Sequence, residues 1–143
     1  MATRLYLLAQ AATTTPGAWR GTWNDTASGI TRALDRVKTA EAASTVAVAE
    51  TSTTLNYNVA LARFVSGPLA AQTISGNVGF GLGLLESNGA MNAFTRLHLY
   101  VMVPDGSVRG TLLANNDGAT EWPNTVSLAT LYSLASLSLS SVA

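Results

Sequence analysis

The sequence predicts an all-β fold, specifically an antiparallel β-sandwich of the jelly-roll type with at most one short helix. About seven to nine short segments alternate apolar with polar residues, which is typical of half-buried strands. Turn-forming residues separate these segments at fairly regular spacing, and no strand–helix–strand alternation is present. Because no linker or low-complexity tract divides the 143 residues, we expect a single sandwich domain over residues 1–143.

The first strand is expected near the N-terminus, where residues 5–8 form a short apolar run. A secretory signal would need an apolar core of about 7–15 residues, so a strand is the better interpretation. Residues 30–38 fit both a helical face and a period of two, and the neighbouring strands favour a strand there. Residues 45–49 predict another short strand.

Two longer strands are predicted in the middle of the chain. The first covers residues 55–65 and stops at Ser66-Gly67-Pro68. The second covers residues 70–85, where glycines at every second position oppose a row of apolar side chains (Gly79, Gly81 and Gly83). Glycine weakens a strand unless the strand bends or another surface lies close to the backbone, so either is expected here.

The clearest strand covers residues 94–103, where Leu97, Leu99 and Val101 alternate with polar neighbours. Residues 104–107, Pro-Asp-Gly-Ser, predict a turn, and residues 108–114 predict the returning strand of a hairpin. Residues 115–118, Asn-Asn-Asp-Gly, predict a further turn. Leucines at helical spacing (Leu128, Leu131 and Leu134) then indicate a short helix, followed by a last strand with a period of two.

The surface is predicted to be unusually poor in charge. Only 11% of the residues are charged, against about 25% in an average globular domain. The eight basic and eight acidic residues cancel, so we expect neither a nucleic acid nor an anionic membrane as partner. Because small soluble monomers usually cover their surface with charge, much of this surface is expected to be covered by other protein.

No catalytic, cofactor-binding or metal-binding residues are indicated, and we do not expect an enzyme. His98 is the single histidine, and the chain has no cysteine, so a histidine or thiolate metal site lacks partners. His98 is instead expected to face outward from its strand. Residues 115–118 offer oxygen ligands for calcium but lack the further carboxylates of a calcium loop.

The tryptophans are the candidate interface residues: Trp19, Trp23 and Trp122. Buried aromatic side chains contribute large areas to cores and to protein interfaces. Three roles remain open for Trp19 and Trp23: plugging the end of the sandwich, contacting another subunit, or forming a platform for a sugar, to which Trp122 could also contribute.

Several segments resemble a family of uncharacterised tailed-bacteriophage virion structural proteins. The most specific is residues 63–76, Arg-Phe-Val-Ser-Gly-Pro-Leu-Ala-Ala-Gln-Thr-Ile-Ser-Gly. Residues 3–7, 23–26, 86–88 and 108–113 extend the similarity in the same order. The resemblance implies a small β-module associated with the head or the tail, located in the virion and assembled in the host cytoplasm. It implies no catalytic residues.

Together these observations predict a capsid decoration or cement protein that acts by subunit packing. By analogy, its partners would be itself, preferably as a homotrimer, and the major capsid protein or other virion proteins. A tail, neck or fibre component is the first alternative, and a carbohydrate-binding module for host attachment is the second. Proteins of the similar family continue past the equivalent of residues 140–143, so we also expect a neighbouring subunit to complete an edge of the sheet.

Overall fold

The chain forms strands and no helix in the part that the structure describes. The computed structural model describes residues 4–14, 18, 23–26, 30–40, 45–47, 49, 57–122, 124 and 130–142. Nine strands lie in this part: β1 (Tyr6–Ala11), β2 (Asp25–Thr26), β3 (Thr31–Asp35), β4 (Val59–Ala60), β5 (Arg63–Ser66), β6 (Gln72–Leu82), β7 (Phe94–Met102), β8 (Val108–Glu121) and β9 (Thr130–Val142). The prediction of an all-β fold is therefore confirmed.

The first of two compact units comprises residues 1–69. Its three-stranded sheet has the order β1-β3-β5, in which β1 pairs antiparallel with β3 and β3 pairs parallel with β5. A second, two-stranded sheet pairs β2 parallel with β4. Among the described residues of this unit, Leu8 and Ala60 are the buried apolar side chains.

The parallel pairs correct the expectation of a purely antiparallel domain. A parallel connection needs about a dozen residues or more, and residues 36–62 between β3 and β5 are long enough to provide it. The sequence predicted no crossover there, because a crossover is usually recognised by its helix and this segment has no helical pattern. The predicted sandwich over residues 1–143 stays a prediction.

The second compact unit comprises residues 70–143, and the strands described in it pair antiparallel. Strand β6 pairs with β9, β7 pairs with β8, and β8 also contacts β9. Val101 of β7 and Leu112 of β8 are buried apolar side chains of this unit. The register of β6 against β9 shifts between Gly76 and Val78, whereas the pairing from Val78 to Leu82 is regular.

The predicted hairpin between β7 and β8 is confirmed in detail. The Val103 N–H donates to the Ser107 carbonyl at 3.0 Å, and the Gly106 N–H donates to the Val103 carbonyl at 2.9 Å. Gly106 has a φ of 85°, which a glycine adopts without steric cost. The Asp105 carboxylate accepts the Ser107 N–H at 2.8 Å, as expected for aspartate in a turn.

Several predicted boundaries were wrong. The described residues among 45–49 form no strand, and the strand predicted over 55–65 is divided into β4 and β5 at Leu61 and Ala62. Residues 115–118 continue β8 instead of turning, because Asn116 and Asp117 pair with Leu97 and Arg96 of the longer β7. The predicted helix is absent from residue 130 onward, where β9 pairs with β6, and Leu128 lies outside the described residues.

Candidate interaction surface

Trp122 is anchored at the end of the β7–β8 hairpin. Its indole Nε1–H donates to the Thr95 hydroxyl at 2.9 Å, and its backbone N–H donates to the Ala93 carbonyl at 2.8 Å. Thr95 is buried, and Trp122 itself is half-buried. A buried tryptophan usually satisfies its N–H in this way, so the indole joins the end of β8 to the start of β7.

Trp23 lies two residues before β2, and its side chain is half-buried. The following residue, Asn24, joins the two strands of the small parallel sheet. Its backbone N–H donates to the Asn58 carbonyl at 2.8 Å, while its side-chain Oδ1 accepts the Asn58 N–H at 2.7 Å. The Trp23-Asn24 segment therefore stabilises the entry into β2. Trp19, the third candidate interface residue, lies outside the described residues.

A short loop between β6 and β7 is held together by polar contacts. Buried Glu86 accepts the Ala93 N–H at its Oε2 at 3.2 Å, which joins the two ends of the loop. The Asn88 side chain accepts the Ala90 N–H at 3.1 Å, and the Met91 N–H donates to the Asn88 carbonyl at 3.0 Å. Asn92 adopts a φ of 52°, a left-handed conformation that asparagine tolerates better than most residues.

Large apolar side chains are exposed in both units. In the first unit, Leu5 is 39% exposed and Leu7 of β1 is 43% exposed. In the second unit, Leu85 is 48% exposed and Phe94 is 52% exposed, and they flank the Glu86–Ala93 hydrogen bond. These side chains are exposed, whereas the candidate interface residues Trp23 and Trp122 are half-buried.

Phe94 is an exposed aromatic residue that was not predicted from the sequence, although its position contained a signal. Phe94 has the same strand parity as Arg96 and His98, which places it with the polar side chains of β7. Its partner across the hairpin is the exposed Glu121. An aromatic residue on the polar side of an alternating strand is a candidate contact residue.

His98 is half-buried and lies close to Tyr100 on the same strand, so it is less accessible than an outward-facing histidine. Its Nδ1 lies 3.2 Å from the Tyr100 hydroxyl, and the two rings stack with centroids 6.1 Å apart and planes 22° apart. Within the described ranges, no group of three or more His, Cys, Asp or Glu residues is placed to hold a metal ion. The geometry gives His98 a packing role in β7.

No family model, curated protein or solved structure matches this chain at a significant level. In the part of the chain that the structure describes, no helix is long and apolar enough to cross a membrane.

Proposed function

We propose that this chain is a structural component of a tailed-phage virion, acting by subunit packing as a capsid decoration or cement protein. The observation that carries the proposal is the combination of a charge-poor chain with exposed apolar side chains on and beside its strands. Leu7 and Phe94 are each about as exposed as they are buried, at 43% and 52%. The resemblance of residues 63–76 to phage virion proteins supplies the biological setting.

The buried part of the chain supports this mode of action. Among the residues whose side chains the structure describes, Leu8, Ala60, Val101 and Leu112 are buried and apolar, whereas Leu5, Leu7, Leu85 and Phe94 are exposed. A domain with exposed apolar surface gains stability when another subunit covers that surface. Such contacts require little desolvation of charge, because only 11% of the residues are charged.

Within this proposal, the strands are arranged as a β-sandwich of the jelly-roll type, and the chain assembles with itself, preferably as a trimer. The jelly-roll arrangement suits this proposal because it is a common fold of viral capsid domains. An edge strand completed by a neighbouring subunit would add backbone hydrogen bonds to the apolar contacts.

A carbohydrate-binding role for Trp122 is less well supported by the geometry. The indole N–H is used within the chain, on Thr95, and the side chain is half-buried. A sugar platform needs an open aromatic face and polar groups directed at the ligand. We therefore place Trp122 in the support of the hairpin rather than in a glycan site.

The deciding experiment is a side-chain-resolution map of the purified phage particle, together with the copy number of this protein in it. A decoration protein should occur in a number comparable with that of the major capsid protein and should lie on the head. A few copies at the neck or tail would favour the tail or fibre alternative. Absence from the purified particle would refute the proposal.

A further inference from the structure

The loop between β6 and β7 carries the single Asn-Gly pair of the chain, at Asn88 and Gly89. Both residues are exposed. An asparagine followed by glycine is the pair most open to attack of the next backbone nitrogen on the side-chain amide, because glycine has no side chain that hinders the approach. The structure adds three observations that bear on this chemistry.

The first observation concerns the electrophile. The Asn88 Oδ1 accepts the Ala90 N–H at 3.1 Å, which folds the side-chain amide back along the peptide that joins Asn88 to Gly89. Attack on the amide carbon places negative charge on this oxygen. The Ala90 N–H is thus already directed at the atom where charge develops, as in an oxyanion hole.

The second observation concerns the nucleophile. Among the described residues, no acceptor binds the Gly89 N–H, so its nitrogen loses no hydrogen bond when it reacts. Asn92 in the same loop differs in this respect. The nitrogen that follows Asn92 belongs to Ala93, and its N–H donates to Glu86 at 3.2 Å.

The third observation is that the Asn124 side chain lies next to Gly89. A Cβ built on Gly89 would lie 2.9 Å from the Asn124 Nδ2, closer than real Cβ atoms approach another atom. The side chain of Asn124 therefore occupies the space that a larger residue at position 89 would need.

We propose that Asn88–Gly89 is a site of spontaneous covalent modification in the folded protein. The Gly89 nitrogen loses its proton to a base in solution and bonds to the Asn88 Cγ, and the side-chain amide nitrogen leaves as ammonia. Water then adds to either carbonyl of the resulting succinimide and opens the ring. The products are aspartate or isoaspartate, and each adds one negative charge to a chain whose formal net charge is zero.

The consequence is a change in a surface loop of a charge-poor protein. The isoaspartate product lengthens the backbone at residue 88, and this disturbs the turn in which the Asn88 side chain accepts the Ala90 N–H and the Asn88 carbonyl accepts the Met91 N–H. The new carboxylate also lies in the same loop as Glu86. We expect the modified loop to pack less well against β7.

The test incubates the purified full-length chain at mildly alkaline pH and maps deamidation by peptide mass spectrometry, in native buffer and in denaturant. We expect Asn88 to convert in native buffer at a rate similar to that in denaturant, whereas Asn92 converts only in denaturant. A native rate at Asn88 more than about tenfold slower, which is a barrier raised by about 1.4 kcal/mol, would overturn the proposal.

Two variants separate the contributions. Asn88→Gln, whose amide is one methylene farther from the Gly89 nitrogen, should remove the modification at this position in both conditions. Ala90→Pro removes the N–H that is directed at the Asn88 oxygen, so it should slow the reaction in native buffer and leave the denatured rate unchanged. Equal native rates for Ala90→Pro and the natural sequence would contradict the assigned role of that N–H.

Discussion

Glu86 closes the loop before β7 with a single hydrogen bond, from the Ala93 N–H to its Oε2. Its side chain is buried, so removing it leaves the Ala93 N–H without its acceptor. We expect Glu86→Ala to reduce the free energy of unfolding by about 1–3 kcal/mol. Urea denaturation followed by circular dichroism measures this change.

Glu86→Gln is the matched control for that measurement. The amide oxygen of glutamine accepts the same N–H in a side chain of nearly the same shape, but without the charge that strengthens the bond. We therefore expect it to cost less than half of the alanine substitution. Equal losses for the two variants would show that the hydrogen bond from the Ala93 N–H is not what Glu86 contributes to stability.

Asp105 gives the β7–β8 turn a dependence on pH. The Ser107 backbone N–H, and then its hydroxyl, hold the pKa of Asp105 below its ordinary value of 3.8. The stabilisation by the ionised carboxylate is therefore fully present above pH 3.8 and is lost as the pH falls through the lowered pKa. It cannot be lost at a higher pH, because the folded form holds its proton less tightly than the unfolded form.

The measurement compares the natural sequence with Asp105→Asn, whose amide oxygen can still accept the Ser107 N–H but does not titrate. The difference between their unfolding midpoints should be constant from neutral pH to about pH 4 and should change below it. A difference that changes between pH 5 and pH 7 would assign the effect to another group.

At the scale of elements, the hairpin depends on the backbone of Gly106. Its φ of 85° lies in a region that is strained for alanine, so Gly106→Ala should destabilise the protein by about 1 kcal/mol or more. Gly67 provides the control, since a Cβ there would meet nothing within 4 Å and its φ is not positive. Gly67→Ala should be neutral or stabilising by up to about 1 kcal/mol, measured as a shift in thermal midpoint.

The elements that the sequence predicted well are those determined by neighbouring residues. The alternation in β7, the turn at 104–107 and the stop at Gly67-Pro68 each depend on a few adjacent residues, and each is confirmed. The same local rules predicted a turn at 115–118 and a helix near residue 131. In both places a partner strand is available, and pairing with β7 or β6 outweighs the local preference.

The candidate surface was harder to predict than the strands for a related reason. Trp122 and Phe94 are both aromatic and lie at the same end of the β7–β8 hairpin, yet Trp122 bonds to Thr95 while Phe94 is 52% exposed. Which of two nearby aromatic residues faces solvent depends on the register of the two strands. That register contains several irregularities, which the sequence pattern does not reveal.

At the scale of the whole molecule, scarce charge and exposed apolar side chains lead to one expectation about association. If neighbouring subunits cover Leu5 and Leu7, the purified protein should associate as its concentration rises, and moderate salt should leave the dissociation constant nearly unchanged.

The double variant Leu5→Thr with Leu7→Thr keeps strand-compatible side chains and should raise the dissociation constant about tenfold or more. Val37→Thr is the control, since Val37 is 69% exposed but lies outside the strands. Sedimentation velocity at low and high salt measures the association of all three proteins. If the natural sequence stays monomeric at high concentration, self-association through Leu5 and Leu7 is ruled out.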